Sequence, residues 1–271
     1  MPELPEVETC RSGIAPHIVG KRIATVVVRE RRLRWPVPAE LESVLTEQVI
    51  VDVQRRGKYL LLCADTGTLI VHLGMSGRLC IVSSRCKPRK HDHIDLQFDD
   101  DSLLRFNDTR RFGAWLWTSE PVANHPLLAK LGPEPLSAVF DGAYLAAQAR
   151  SRQTAVKSLI MDSHVVVGVG NIYANEALFM ANIHPQRPAG SLSADDCARL
   201  SHAAKTVLQR AIEQGGTTLR DFTDPAGNPG YFQQALAVYG RAGQACPQCG
   251  EPVQRYKIAQ RATYSCARCQ R

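Results

Sequence analysis

The sequence predicts an α+β protein: a strand-built N-terminal half, a helical middle and an end stapled by cysteines. Three observations carry this. Residues 1–125 hold seven short runs of Val, Ile, Leu and aromatics, usually separated by Gly, Asp, Ser or Pro, as in a sandwich or barrel. After "NHPLLAKLGPEPL" the texture becomes alanine-rich and helical. The last stretch carries two Cys-x2-Cys pairs.

The strand runs are "RIATVVVRE", "VIVDVQRR", "KYLLLCAD", "TLIVHLG", "HIDLQF", "SLLRFN" and "AWLWTSE", with a helix before them around Val7–Val19. Together they make an N-terminal β-sandwich domain over 1–125. The helical domain, 126–240, contains "DGAYLAAQARSRQTAVKSLIMD", "GNIYANEALFMAN" and "SADDCARLSHAAKTVLQRAIEQGG". In the last of these, Leu200, Ala204, Val207, Leu208, Ala211 and Ile212 share one face at helical spacing. Ser193 is its N-cap, with Asp196 completing a capping box, and Gly215-Gly216 stops it. The Gly/Thr/Asp/Pro-rich segment 215–231 reads as a mobile loop, and 241–271 as a separate zinc-ribbon finger.

Composition narrows the function. In 271 residues, 33 Lys+Arg against 26 Asp+Glu leave a net charge of +7, which suits a phosphate backbone or another anionic surface. No apolar run reaches the ~20 residues of a membrane span, and no basic region with an apolar stretch opens the chain as a signal peptide. Of nine cysteines, five are scattered: Cys10, Cys63, Cys80, Cys86 and Cys197. Their odd total argues for a reducing, cytoplasmic setting. Cys63 and Cys80 read as small buried hydrophobes in strands, and none of the five as catalytic.

The other four cysteines form the strongest single motif. Cys246-x2-Cys249 and Cys266-x2-Cys269 are separated by the sixteen residues from Gly250 to Ser265, the spacing of a zinc ribbon. Four thiolates close a tetrahedron with no open position, so the single Zn2+ is structural. The span "VQRYKIAQRATYS" between them reads as a β-hairpin carrying Arg255, Lys257 and Arg261, either a nucleic-acid contact or part of a purely structural staple.

The start, "MPELPEVETC", surrounds Pro2 with carboxylates at Glu3, Glu6 and Glu8. Read alone, this is either an extended surface terminus or, once Met1 is removed, a secondary amine serving as a nucleophile. Taken singly, Lys58 is a solvated charge, Met75 and Phe112 are core residues, and Asn171 is a helix N-cap.

A resemblance decides among these readings. The strings "MPELPEVET", "RRGKYLL", "HLGMSG", "KHDHIDL", "RRFGAWLW", "LGPEPL", "VGNIYANEALF", "EQGGTTLRDF", "GYF", "VYGR" and "QRATY", in that order, resemble the formamidopyrimidine-DNA glycosylases. These are bacterial base-excision repair enzymes of the helix-two-turn-helix class. The resemblance implies a bifunctional glycosylase/AP lyase that excises oxidised purines such as 8-oxoguanine and formamidopyrimidines through a proline imine, then nicks by β,δ-elimination. It makes the 126–240 domain a helix-two-turn-helix domain and 215–231 a lesion-covering loop.

Residue by residue, the resemblance assigns catalysis to Pro2, Glu3, Lys58 and Arg261, with Glu6 as support. It assigns DNA contacts to His91, Asn171 and the basic cluster Arg150, Arg152 and Lys157, and base-extruding insertion to Met75, Arg110 and Phe112. The family's partner is double-stranded DNA with oxidised bases or abasic sites, bound by a monomer at the nucleoid. The chain departs from the pattern at Thr109, where the family often has proline, and at Gln153, where it can carry lysine. Endonuclease VIII relatives begin Pro-Glu-Gly-Pro. Leu4 in the glycine position favours the purine branch over that pyrimidine-directed one, and a non-catalytic damage-binding protein is the remaining alternative.

Overall fold

A computed structural model describes residues 2–215 and 236–271. Apart from Gly215, the segment 215–231 lies outside them. Residues 2–129 form one compact unit, and 130–214 with 236–271 form a second.

The first unit begins with α1 (Leu4–Ile18), three residues ahead of the predicted start because Pro5 suits the first helical turn, where no N–H is needed. The strands are β1 (Ile23–Val28), β2 (Ile50–Arg56), β3 (Tyr59–Ala64), β4 (Gly67–His72), β5 (Gly77–Ser83), β6 (Asp92–Phe98), β7 (Ser102–Asp108) and β8 (Ala114–Thr118). A short helix, α2 (Leu41–Leu45), follows β1. The strands make two antiparallel four-stranded sheets, ordered β1-β6-β7-β5 and β2-β3-β4-β8. Ile94, Leu96, Phe98, Leu104 and Phe106 of one sheet and Val53, Leu60, Leu62, Leu69, Val71 and Trp115 of the other are buried in one core. Val7, Cys10, Ile14 and Ile18 of α1 join it.

Two expectations change here. The strand β5 goes unseen in the sequence because Arg78 and Cys80 interrupt its apolar run. Cys63 and Cys80 are half-buried rather than buried; the fully enclosed scattered thiols are Cys10 and Cys197. Burial pushes the Cys10 thiol up to about 12, with Cys80 adding to it, so it is inert at neutral pH.

The second unit holds α3 (Gly142–Ala149), α4 (Val156–Ile160), α5 (Asn171–Met180) and α6 (Ala194–Glu213). The run 141–162 is thus two helices, not one: the chain leaves helical geometry at Arg150, and Ser151 takes φ +61°. Helix α6 starts in the predicted capping box, with Ser193 Oγ accepting from Asp196 N–H (3.1 Å) and Asp196 Oδ2 from Ser193 N–H (2.9 Å). Leu200, Ala204, Leu208 and Ala211 are buried, while Val207 and Ile212 lie at the edge of that face. The unit ends in the hairpin β9 (Gln254–Ile258) and β10 (Arg261–Ser265). Among the described residues no helix is long and apolar enough to cross a membrane.

Candidate functional site

In the first unit, the residues singled out from sequence cluster at strand ends and at the start of α1. Pro2 and Glu3 are buried, Glu3 to 3% exposure. Glu6 Oε2 accepts the Glu3 N–H at 2.8 Å and Val7 N–H donates to the Glu3 carbonyl at 3.1 Å, so the terminus has a fixed approach to the helix. Arg55 of β2 donates to Glu8 Oε2 (2.8 Å) and to the Gly57 carbonyl (3.1 Å). One guanidinium therefore ties α1 to the two-residue β2–β3 turn that carries Lys58. Burial raises the Glu8 carboxyl, but hydrogen bonds from Arg11 and Arg55 prevail and hold it below its ordinary value.

At the end of β4, His72 lies beside Tyr59, ring centroids 4.8 Å apart. Burial, then the Lys58 and Arg34 charges, push its pKa down to about 4 against the pull of Asp108. The neutral ring accepts the Gly74 N–H on Nδ1 at 3.0 Å, which shapes the β4–β5 loop. Met75 sits on that loop, and Arg110 and Phe112 on the β7–β8 loop; Met75 and Phe112 are each 41% exposed. They are not core, which removes the bland reading of both. The Arg110 guanidinium covers the Phe112 ring at 4.6 Å. His91, half-buried with φ +76°, opens β6.

In the second unit, Gly170 caps α5 and Asn171 is its first helical residue, one place inside the predicted cap. Asn171 Nδ2 donates to the Ala262 carbonyl (3.0 Å). Lys157, read from sequence as part of a DNA-facing basic cluster, is 1% exposed, and its ammonium donates to the Ala262 carbonyl (2.9 Å) and Thr263 Oγ1 (2.8 Å). Its work is to hold the hairpin. Arg150 is exposed, and Arg152 is half-buried beside Gln148.

Arg255, Lys257 and Arg261 are all exposed on the hairpin, whose turn residues Ala259 and Gln260 both take positive φ. The four cysteine sulfurs lie within 4.8 Å of one another, with Cys246–Cys269 at 3.9 Å and Cys249–Cys266 at 3.4 Å. Tetrahedral zinc with ~2.3 Å Zn–S bonds needs sulfurs ~3.8 Å apart, so the donor set fits one structural zinc ion. Gln270 supports it from behind, accepting the Cys266 N–H and donating to the Ile183 carbonyl, both at 2.9 Å.

Sequence reading missed Arg55, Asp108, Asn175 and Glu176. Asn175 Oδ1 accepts the Tyr264 N–H at 2.7 Å. The buried Glu176 carboxylate accepts the N–H groups of Ala237, Val238 and Tyr239 at 2.8–3.0 Å. Their only trace in the sequence is polarity inside an otherwise apolar helix.

Comparison with known proteins places these features. Residues 1–115 match the family model described as formamidopyrimidine-DNA glycosylase N-terminal domain. Residues 131–223 match its H2TH domain, and 243–271 the zinc finger found in FPG and IleRS. Formamidopyrimidine-DNA glycosylases of Methylococcus capsulatus and Pseudomonas entomophila are 63% and 56% identical over 271 residues, the whole of each chain. The crystal structure of the Thermus thermophilus MutM (Fpg) protein is 39% identical, with TM-score 0.89, covering 99% of this chain and 98% of that one. A Lactococcus lactis Fpg bound to DNA containing N7-benzyl-Fapy-dG is 34% identical, with TM-score 0.92 and 99% coverage of both chains. The same protein with abasic-site DNA gives a TM-score of 0.90.

Proposed function

The chain belongs to the formamidopyrimidine-DNA glycosylase family, and from that premise we propose which of its residues perform the repair reaction. It is a DNA glycosylase of base-excision repair acting on damaged DNA, and AP lyase activity is typical of the family. Its lesions are the oxidised purines, 8-oxoguanine and formamidopyrimidines. It works as a monomer at the nucleoid.

Removal of Met1 frees the Pro2 amine. An α-amino group titrates near ~8, so a useful neutral fraction exists at cellular pH. The nitrogen attacks C1′ of the damaged nucleotide and the C1′–N bond to the base breaks, while Glu3 delivers a proton to the sugar ring oxygen or the departing base. Ring opening gives a cationic iminium, which acidifies the C2′ protons. Loss of one of them expels the 3′ phosphate, and a second elimination expels the 5′ phosphate. Lys58 assists the first elimination and Arg261 the second. Asn171 and Arg261 grip the flanking phosphates, His91 and Arg152 add DNA contacts, and Met75, Arg110 and Phe112 fill the gap left by the extruded base. Zinc, held by Cys246, Cys249, Cys266 and Cys269, fixes the finger and takes no part in bond cleavage.

The observation that carries the reading is the placement of Pro2 and Glu3: a fixed, buried terminus at the head of α1, held by Glu6, is an unusual investment for a frayed chain end. Borohydride trapping tests it. The protein with free Pro2 should be reduced onto abasic-site DNA as a covalent adduct, and the form retaining Met1 should not. An adduct of equal yield with Met1 retained would remove Pro2 from the mechanism.

A further inference from the structure

Met75 stands on one loop of the sandwich, and Arg110 and Phe112 on another. What joins the two loops is a single buried carboxylate. Asp108, the last residue of β7, has no exposed surface. Its Oδ1 accepts the Ser76 hydroxyl at 2.5 Å and the Arg110 N–H at 3.2 Å, and its Oδ2 accepts the Gly113 N–H at 2.8 Å. Ser76 Oγ accepts the same Arg110 N–H at 3.1 Å. The Asp108 backbone extends the junction to a third loop: its N–H donates to the His91 carbonyl (3.0 Å) and its carbonyl accepts from His93 Nε2 (2.8 Å).

The backbones of the two loops are in direct contact as well. Gly74 takes φ +62°, and a Cβ there would lie 2.4 Å from the Phe112 carbonyl group and 2.7 Å from Gly113 N.

Burying a carboxylate among neutral donors is costly, and among the described residues Asp108 makes no ion pair. An asparagine would close a β-turn at lower cost. It could not serve this junction, because its amide would set two N–H donors against groups that are themselves donors. Only an acceptor on both oxygens lets a hydroxyl and two N–H groups from two loops converge.

We infer that Asp108 is a positioning residue for base extrusion, locking the Met75 loop to the Arg110–Phe112 loop so that the three side chains enter a duplex as one rigid wedge. The inference rests on the reading of those three side chains as the insertion group. Ser76 is the link between carboxylate and loop. Without the junction each loop moves independently, and filling the vacated stack requires ordering both at the moment of insertion. An abasic substrate has no base to extrude and makes less of that demand.

The test uses the full-length zinc-loaded protein as Asp108→Asn, Ser76→Ala, Met75→Ala and the Asp108→Asn/Met75→Ala double variant. Single-turnover excision of 8-oxoguanine from a duplex, nicking of a preformed abasic duplex, fluorescence of a 2-aminopurine beside the lesion, and melting temperature are measured. For Asp108→Asn, excision and the 2-aminopurine rise should slow about tenfold or more, with abasic nicking within about threefold of the parent. Ser76→Ala should show the same split at about threefold, and it decides the matter should Asp108→Asn not fold. The double variant should be little slower than its worse single parent, because both substitutions disable one wedge. Equal losses on both substrates, or unchanged excision, in a protein with Met75→Ala splitting the substrates would overturn the positioning role alone. A Met75→Ala protein showing no split would remove the wedge itself, and the inference with it.

Discussion

Replacing Cys249 by Ser removes one thiolate from the zinc set and should convert a folded finger into one that no longer presents its cations. The magnitude follows from what the hairpin carries. Arg255 and Lys257 on β9 and Arg261 on β10 are all exposed, and a charge-assisted hydrogen bond is worth ~1.5–3 kcal/mol. Losing the ordered contact of Arg261 alone should weaken binding to an abasic duplex by about 10- to 150-fold. The plot of log affinity against log salt becomes shallower by about one if Arg261 alone meets a phosphate, and by about three if the other two cations do so as well. Zinc content, fluorescence anisotropy across a salt series, and nicking at limiting and saturating protein measure all of this. Zinc should be lost, affinity and salt slope should fall together, and β-elimination should recover at saturating protein while the δ-product stays low. A variant that binds lesion DNA normally but cannot cleave it would refute the reasoning, since it would place the metal in the chemistry.

Glu3→Gln should lose base excision while partly sparing cleavage of a preformed abasic site, where no base remains to be expelled; comparing the two substrates in single turnover checks this. Phe112→Ala should lower unfolding free energy by under ~1 kcal/mol because the ring is already half-exposed. It should nonetheless slow 8-oxoguanine removal about tenfold or more, and melting beside excision rates distinguishes the two effects. His72 gives a pH prediction. Its folded pKa, about 4, lies below the 6.5 of the unfolded chain, so between these values the unfolded state binds the extra proton. Stability should therefore be fully present above pH 6.5 and decline as pH falls toward 4. Melting curves of His72→Gln should be flatter than the parent's across that window.

The parts legible in sequence are those written locally. Cysteine spacing identifies the zinc set because each pair converges within one turn, and Ser193 with Asp196 announces α6 for the same reason. The sandwich is legible from strand composition, except for β5, whose "GRLCIVS" mixes a charge into its apolar run. The break between α3 and α4 is not legible, since nothing in "ARSRQTA" marks Ser151 for positive φ. Least legible are the residues whose role exists only after tertiary approach. Asp108 reads as a strand end until two loops bring three donors to it, and Lys157 reads as a surface cation until the hairpin arrives to cover it. Asn175 and Glu176 look like polar errors in an apolar helix until their partners at 237–239 and 264 are in place.

That polar seam on α4 and α5 limits how the chain can be cut and recombined. Lys157, Asn171, Asn175 and Glu176 direct donors and acceptors at backbone groups of Ala262, Tyr264 and the 237–239 segment. Deleting the finger would take from the buried Lys157 ammonium its Ala262 and Thr263 acceptors and from Asn175 Oδ1 the Tyr264 N–H, which is far more disruptive than losing an apolar contact. The finger is therefore no detachable module, although its zinc set is self-contained in sequence. A chimera carrying a relative's finger should fold only where the graft restores the hairpin register against α5 and a hydroxyl opposite Lys157. Inheritance of the two pieces is coupled through hydrogen bonds to the main chain, which constrain where the donor's backbone lies more than which side chains it brings.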